Sequence, residues 1–246
     1  MSRYSFCFLL VAGFSLSFNV PPNSDEQGAW EITEFTFGDY THENANGILL
    51  LESGYYTWAV YKKDNNEFIG TGGGKYKQGG NSVEFHVYFH SLQPDLVGKS
   101  IMFTKKGSGS KWVMKSQQGI TITIKKKKEK VEESLQGAWR ISQRKRNEEM
   151  VEIPDGARKT LKVLTKTRFQ WIAFNSETGE FFGTGGGSYT LANGKYTENI
   201  EFFSRDNSRV GASLTFNYAM KADDSEWHHS GLSSKGNPIY EIWSRE

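Results

Sequence analysis

A glycine-rich pentapeptide occurs twice in this chain, and its repetition constrains the fold more than any other feature. Residues 70–74 and 183–187 both read Gly-Thr-Gly-Gly-Gly, flanked by Phe68-Ile69 and Lys75-Tyr76 in one case and by Phe181-Phe182 and Ser188-Tyr189 in the other. Counted from Phe68 to Phe181 the offset is 113 residues, and Trp58 and Trp171 keep it. Gln27-Gly28-Ala29-Trp30 likewise recurs as Gln136-Gly137-Ala138-Trp139. The chain is a tandem duplication, so any reading of fold or site has to hold for both copies. Its 246 residues accommodate two units of ordinary size, each able to bury its own core.

Short runs of alternating apolar residues, rich in Val, Ile, Thr and aromatics and separated by Gly, Asn, Asp and Ser, point to strands throughout. In the second copy the pattern predicts strands over 137–143, 158–164, 168–174, 180–191, 195–205, 211–220, 226–230 and 238–245, and the first copy gives a similar series. Hairpin signals such as Asn193-Gly194 join them. The expected class is all-β: two tandem small up-and-down antiparallel β-barrels, one over 26–125 and one over 135–246, because closure removes exposed strand edges. The basic stretch over 126–134 reads as a solvated linker.

Alternation assigns faces. Tyr56, Trp58 and Val60 match Phe169, Trp171 and Ala173, an aromatic and aliphatic row that should point inward in both copies. Period two also places Phe68, Gly70, Gly72, Gly74 and Tyr76 together, with Phe181, Gly183, Gly185, Gly187 and Tyr189 as their counterparts. Three missing side chains in succession imply close approach by a flat aromatic, a sharply coiled strand or a ligand.

Before the first copy, Arg3 precedes an apolar stretch over 6–18, followed by Pro21 and Pro22. This reads as a signal peptide over 1–20, too short to span a bilayer, so the mature chain is expected to carry no transmembrane span and to be secreted or periplasmic. A retained leader would instead hold it at a membrane. The single cysteine, Cys7, lies within that leader, which leaves the processed form without disulfides or a thiol nucleophile.

Composition and motifs exclude several chemistries. Thirty basic against 28 acidic side chains give a formal charge of +2, no broad positive field for nucleic acid. The glycine segments continue as strand and lack the Gly-Lys-Ser/Thr of a phosphate loop. Among His42, His86, His90, His228 and His229, none repeats at a matched position; His86 and His90 share a strand face but stand roughly 13 Å apart at about 3.3 Å per residue, too far for one ion. Neither metal nor cofactor is expected. Glu84 and Glu201 correspond and should face solvent, and no serine stands in a nucleophile elbow, so no catalytic residue is assigned. Arg205, Asp206 and Arg209 form a charged turn.

The copies open with Gly28-Ala29-Trp30 and Gly137-Ala138-Trp139 and close with Lys125 after 120–124 and Arg245 after 239–243. This resembles the lipocalin and wider calycin pattern, in which a basic residue from the last strand stacks on the opening tryptophan. The resemblance implies cation–π pairs between Trp139 and Arg245 and between Trp30 and Lys125. The segments 183–189 and 196–199 are also similar to uncharacterised lipocalin-like secreted proteins of Gram-negative bacteria, which implies an extracytoplasmic barrel of unknown ligand.

The leading expectation is a non-enzymatic barrel protein that binds a small apolar or amphiphilic ligand, or a surface partner, through Trp58, Tyr76, Trp171, Tyr189, Tyr196, Glu198 and Arg205. One alternative is a hydrolase or isomerase whose polar pocket in the second copy uses Tyr196, Glu198 and Arg205. Another is a structural interaction module.

Overall fold

The computed structural model describes residues 26–37, 40–41, 44–131, 133–233 and 236–246. The expected leader over 1–20, with Cys7, and His42 lie outside them. The first copy comprises β1 (Gly28–Phe37), β2 (Tyr40–Thr41), β3 (Ala45–Glu52), β4 (Tyr55–Lys62), β5 (Phe68–Gly79), β6 (Ser82–His90), β7 (Ser100–Ser108), β8 (Lys111–Ser116) and β9 (Ile120–Lys126). The second comprises β10 (Gly137–Arg146), β11 (Glu149–Glu152), β12 (Arg158–Leu164), β13 (Arg168–Asn175), β14 (Phe181–Ala192), β15 (Lys195–Phe203), β16 (Ser213–Met220), β17 (Glu226–Leu232) and β18 (Pro238–Arg245). Each copy is an antiparallel meander closed by its first and last strands, β1 on β9 and β10 on β18, with the short β2 and β11 set outside the eight-stranded ring. These are two closed barrels in tandem, of lipocalin-like form.

The barrel floors explain the Gly-x-Trp signal. Trp30 and Trp139 are fully buried, and Trp139 donates through Nε1 to the Leu135 carbonyl at 2.9 Å. The Arg245 guanidinium lies 4.2 Å above the Trp139 ring and donates to the Gln136 carbonyl at 3.0 Å. Gly137, at φ +146°, sits where any Cβ would strike that guanidinium, so glycine two residues before the tryptophan is a steric requirement of the stack. In the first barrel the register pairs Trp30 with Lys126, whose Nζ is 5.5 Å from the ring. The cation is therefore Lys126 rather than Lys125, because Lys125 falls opposite Glu31, on the other side of the pleat.

The connection between the barrels is anchored by Glu129. Its carboxylate accepts from the Ala29 amide at 2.9 Å, from the Thr165 hydroxyl at 2.5 Å, and from the Thr167 amide and hydroxyl at 2.9 and 2.7 Å. The lysine run thus contains one acidic residue that joins the opening strand of one barrel to the β12–β13 turn of the other.

Both faces of β4 and β13 are buried, each for a different reason. Tyr56 packs inside the first barrel and Phe169 inside the second, with Trp58 and Trp171 against these cores. The alternate residues Tyr55, Ala59 and Tyr61, with Ile172 and Phe174, form a third apolar cluster between the barrels. A pseudo-two-fold relation is visible in the rings: Tyr61 stacks on Phe202 at 5.3 Å, Phe89 meets Phe174 at 5.0 Å, and Phe68 faces its own counterpart Phe181 at 6.3 Å. Gln170 crosses the seam, donating to the hydroxyls of Thr71 at 2.9 Å and Thr184 at 3.0 Å. The contact has the isologous character of a homodimer interface, here within one chain.

The glycine segments serve this double burial. A Cβ on Gly72 or Gly185 would come within 2.7 Å of the indole Nε1 of Trp58 or Trp171, and one on Gly73 or Gly186 would meet Phe89 or Phe202 at the seam. Flat aromatic rings therefore cover the strand on both faces. Register shifts at Gly73/Gly74 and Gly186/Gly187 mark bulges in the β5–β6 and β14–β15 pairs. They reverse the alternation of β6: Phe85 and Val87 face the lumen, Phe89 faces the seam, and His90 turns into the lumen. His86 and His90 consequently do not share a face, contrary to the expectation from strict period two; His86 lies outside, 3.3 Å from the Ser100 hydroxyl.

Candidate functional site

The first barrel holds a cavity of about 360 Å³, and its walls are predominantly apolar: Leu49, Tyr56, Trp58, Val60, Phe85, Val87, Phe103, Met114 and Ile122 from six strands. Its rim carries Leu92, half exposed above the bare backbone of Gly70. His90 also lines it, edge-on to Trp58 at 5.2 Å. The His90 Nδ1 accepts from the amides of Gln93 at 3.0 Å and Leu92 at 3.3 Å, which assigns the remaining proton to Nε2. Burial pushes its pKa down to about 4, so the ring is neutral at physiological pH.

The matched positions of the second barrel carry charge. Strand pairing aligns Lys162 with Leu49, Glu198 with Phe85, Tyr196 with Val83 and Glu241 with Ile122. Lys162 and Glu198, both almost fully buried, pair at 2.8 Å, and the Tyr196 hydroxyl donates to the same Glu198 oxygen at 2.9 Å. The ammonium is ringed by Trp243 at 4.8 Å, Trp227 at 5.0 Å and Tyr196 at 5.3 Å. Glu241 accepts from Arg144 at 2.8 Å and from the Trp243 indole at 3.2 Å, and lies 3.5 Å from His229 Nδ1. Burial pushes the His229 ring down and therefore holds it neutral. Burial acts to raise the Glu241 carboxyl, but the His229 contact and the Arg144 and Lys162 charges outweigh it and hold the group below the ordinary value. Burial also drives the Tyr196 phenol far up, reinforced by Glu198, so it stays protonated as a donor.

The seven expected ligand residues thus separate. Trp58 lines the first cavity. Tyr76 is buried in the core of the same barrel. Trp171, Tyr189, Tyr196 and Glu198 belong to the interior of the second, where Tyr189 accepts from the Leu135 amide at 3.2 Å and donates to the Thr165 carbonyl at 2.7 Å. Arg205 lies apart: its exposed guanidinium holds the Phe182 carbonyl at 2.6 and 2.8 Å over Gly183. It does not meet Tyr196 and Glu198. Sequence reasoning missed Lys162, His229 and Glu241; a lysine within the otherwise apolar strand 161–164 was the available signal. It also missed His90, because only the bulge turns that ring inward.

Among the described residues no group of three or more His, Cys, Asp or Glu side chains is placed to hold a metal ion, and no helix is long and apolar enough to cross a membrane.

Residues 134–246 match a family model described as a domain of unknown function, DUF4488. No curated protein matches the chain. Among solved structures, a lipocalin-like protein from Bacteroides uniformis is similar at 15% identity and a TM-score of 0.33, over 42% of this chain and 99% of that one. An uncharacterized protein from Saccharomyces cerevisiae is similar at 10% identity and a TM-score of 0.43, over 88% of this chain and 96% of its own. Transferrin binding protein B of Haemophilus parasuis is similar at 6% identity and a TM-score of 0.26, over 82% of this chain and 53% of its own.

Proposed function

We propose that this is a non-enzymatic binding protein whose first barrel takes a small apolar or amphiphilic molecule. The observation that carries the reading is the 360 Å³ apolar cavity at the positions where the duplicate barrel places a packed charge network. Its volume lies within the range of about 300–1,000 Å³ typical of small-molecule sites. A secreted or periplasmic setting belongs to the same proposal, and it rests on the apolar stretch over 6–18. The test is titration with the neutral probe N-phenyl-1-naphthylamine. Saturable one-to-one uptake, abolished by Ile122→Trp in the cavity wall, supports the reading. Absence of uptake by the folded protein, or uptake indifferent to Ile122→Trp, defeats it.

A further inference from the structure

A second hollow, of about 340 Å³, lies against the first, and its wall is polar. It sits at the junction of the barrels, with Glu31, Tyr61 and Lys63 from the first copy, Lys127 from the connection, and Arg168 and Glu201 from the second. The two hollows share Ile32, Thr33, Ala45, Asn46 and Gly47. These residues flank a split in the barrel wall: β1 pairs with β3 only from Gly28 to Glu31, and beyond Glu31 no β1–β3 ladder continues. At this split Ile32 packs on Gly47, where a Cβ would come within 2.7 Å of it.

The charges of the polar hollow are unevenly matched. Arg168 holds both oxygens of Glu201 at 2.5 Å, which neutralises that pair. Lys63 and Lys127 have no ion pair among the described residues, and only Glu31 stands against them. The Tyr61 hydroxyl reaches the same space without a hydrogen-bond partner in the described chain, and burial pushes its pKa up to about 12, leaving it a donor.

We infer that the two hollows form one site for a single-chain anionic amphiphile, with the alkyl tail in the first barrel and the head at the barrel junction beside Lys63, Lys127 and Tyr61. The inference rests on the cavity reading above and adds the class of head group. An apolar tail gains affinity from the cavity at roughly fourfold per buried methylene whatever its head. Two ammonium groups without an ion pair among the described residues, together with a phenol, favour an anion over a hydroxyl of the same chain length. The duplication explains the position, because the cationic wall exists only where the two barrels and their connection meet.

Calorimetric titration of the full chain with decanoate and with 1-decanol separates the two readings. The expected result is at least tenfold tighter binding of decanoate, weakened by added salt, with the preference lost in a Lys63→Glu, Lys127→Glu double variant that still binds decanol. Both lysines are outside the cores, and a matching thermal transition for the variant would show that it folds. Equal affinity for the two ligands, or an unchanged preference in the double variant, overturns the head-group site and leaves the cavity reading standing. Failure of wild-type protein to bind either ligand overturns both.

Discussion

The two barrels are built on one strand plan, yet their interiors have opposite character. In the first, Leu49, Phe85, Met114 and Ile122 leave a cavity. In the second, Lys162 bonds to Glu198 and Arg144 to Glu241, each at 2.8 Å and across strands, and the His229 ring packs 3.5 Å from Glu241. The floor seal, the glycine segment and the bulge are common to both, so these are requirements of the fold. The lumen is what diverged. Buried charge is costly to desolvate and needs near-complete pairing, so the second interior has few alternative arrangements. An apolar lumen imposes no such pairing and tolerates an unfilled volume. The difference teaches that duplication here separated a barrel with a paired, charged interior from one with an apolar cavity.

The sharpest way to break this comparison is to disturb the second lumen. Glu198→Ala leaves the Lys162 ammonium buried without its partner and should cost about 3–5 kcal/mol in urea unfolding. The double variant Lys162→Leu, Glu198→Phe, which copies the first barrel, should recover most of that loss. If Glu198→Ala costs less than about 1 kcal/mol, the network does not support the second barrel.

Acid should act next most strongly, and on both barrels. His90 and His229 are neutral in the fold because burial depresses them, while the unfolded chain binds protons at its ordinary histidine value near 6.5. A depressed folded pKa means stability falls as pH drops below about 6.5, and the His90 share is fully lost near its folded value of about 4. Glu241, held low, adds a loss across the carboxylate range below that window. Thermal unfolding between pH 7 and pH 4 should decline, and His229→Met, the residue of the first barrel at that position, should flatten the decline relative to wild type. An identical pH profile in the variant would remove His229 from the account.

The smallest expected difference concerns the floors. Arg245→Ala removes a close stack and a bond to Gln136 and should cost about 1–2 kcal/mol, whereas Lys126→Ala, at a longer distance from Trp30, should cost about 0.5–1 kcal/mol. Equal costs in chemical denaturation would show that the two seals are equivalent despite their geometry.

Much of the fold was legible in the chain. The alternation of apolar residues located the eight ring strands of the second copy, and the matched Gly-Ala-Trp and terminal cations located the floors, because strand period and seal are local and repeat. The aromatic row of Tyr56, Trp58 and Phe169, Trp171 was correctly read as inward. The four-residue β11 and two-residue β2 escaped, being too short to show a period. The stacking cation was misplaced by one residue, since a single step in register moves a side chain to the other face. His90 escaped for the same reason: the bulge at Gly73/Gly74 depends on the neighbouring strand rather than on the local sequence.

By itself, then, the sequence determined a duplicated all-β chain whose two closed meanders each begin at a tryptophan and end at a cation. Only the tertiary structure decided that the first interior holds a cavity, that the outer faces of β4 and β13 meet in a shared apolar seam, and that Glu201 pairs with Arg168 at the barrel junction. Periodicity reports which residues share a face, whereas a cavity or a seam depends on how side-chain volumes and charges from distant strands add up in one place. That sum is made only when the barrel closes.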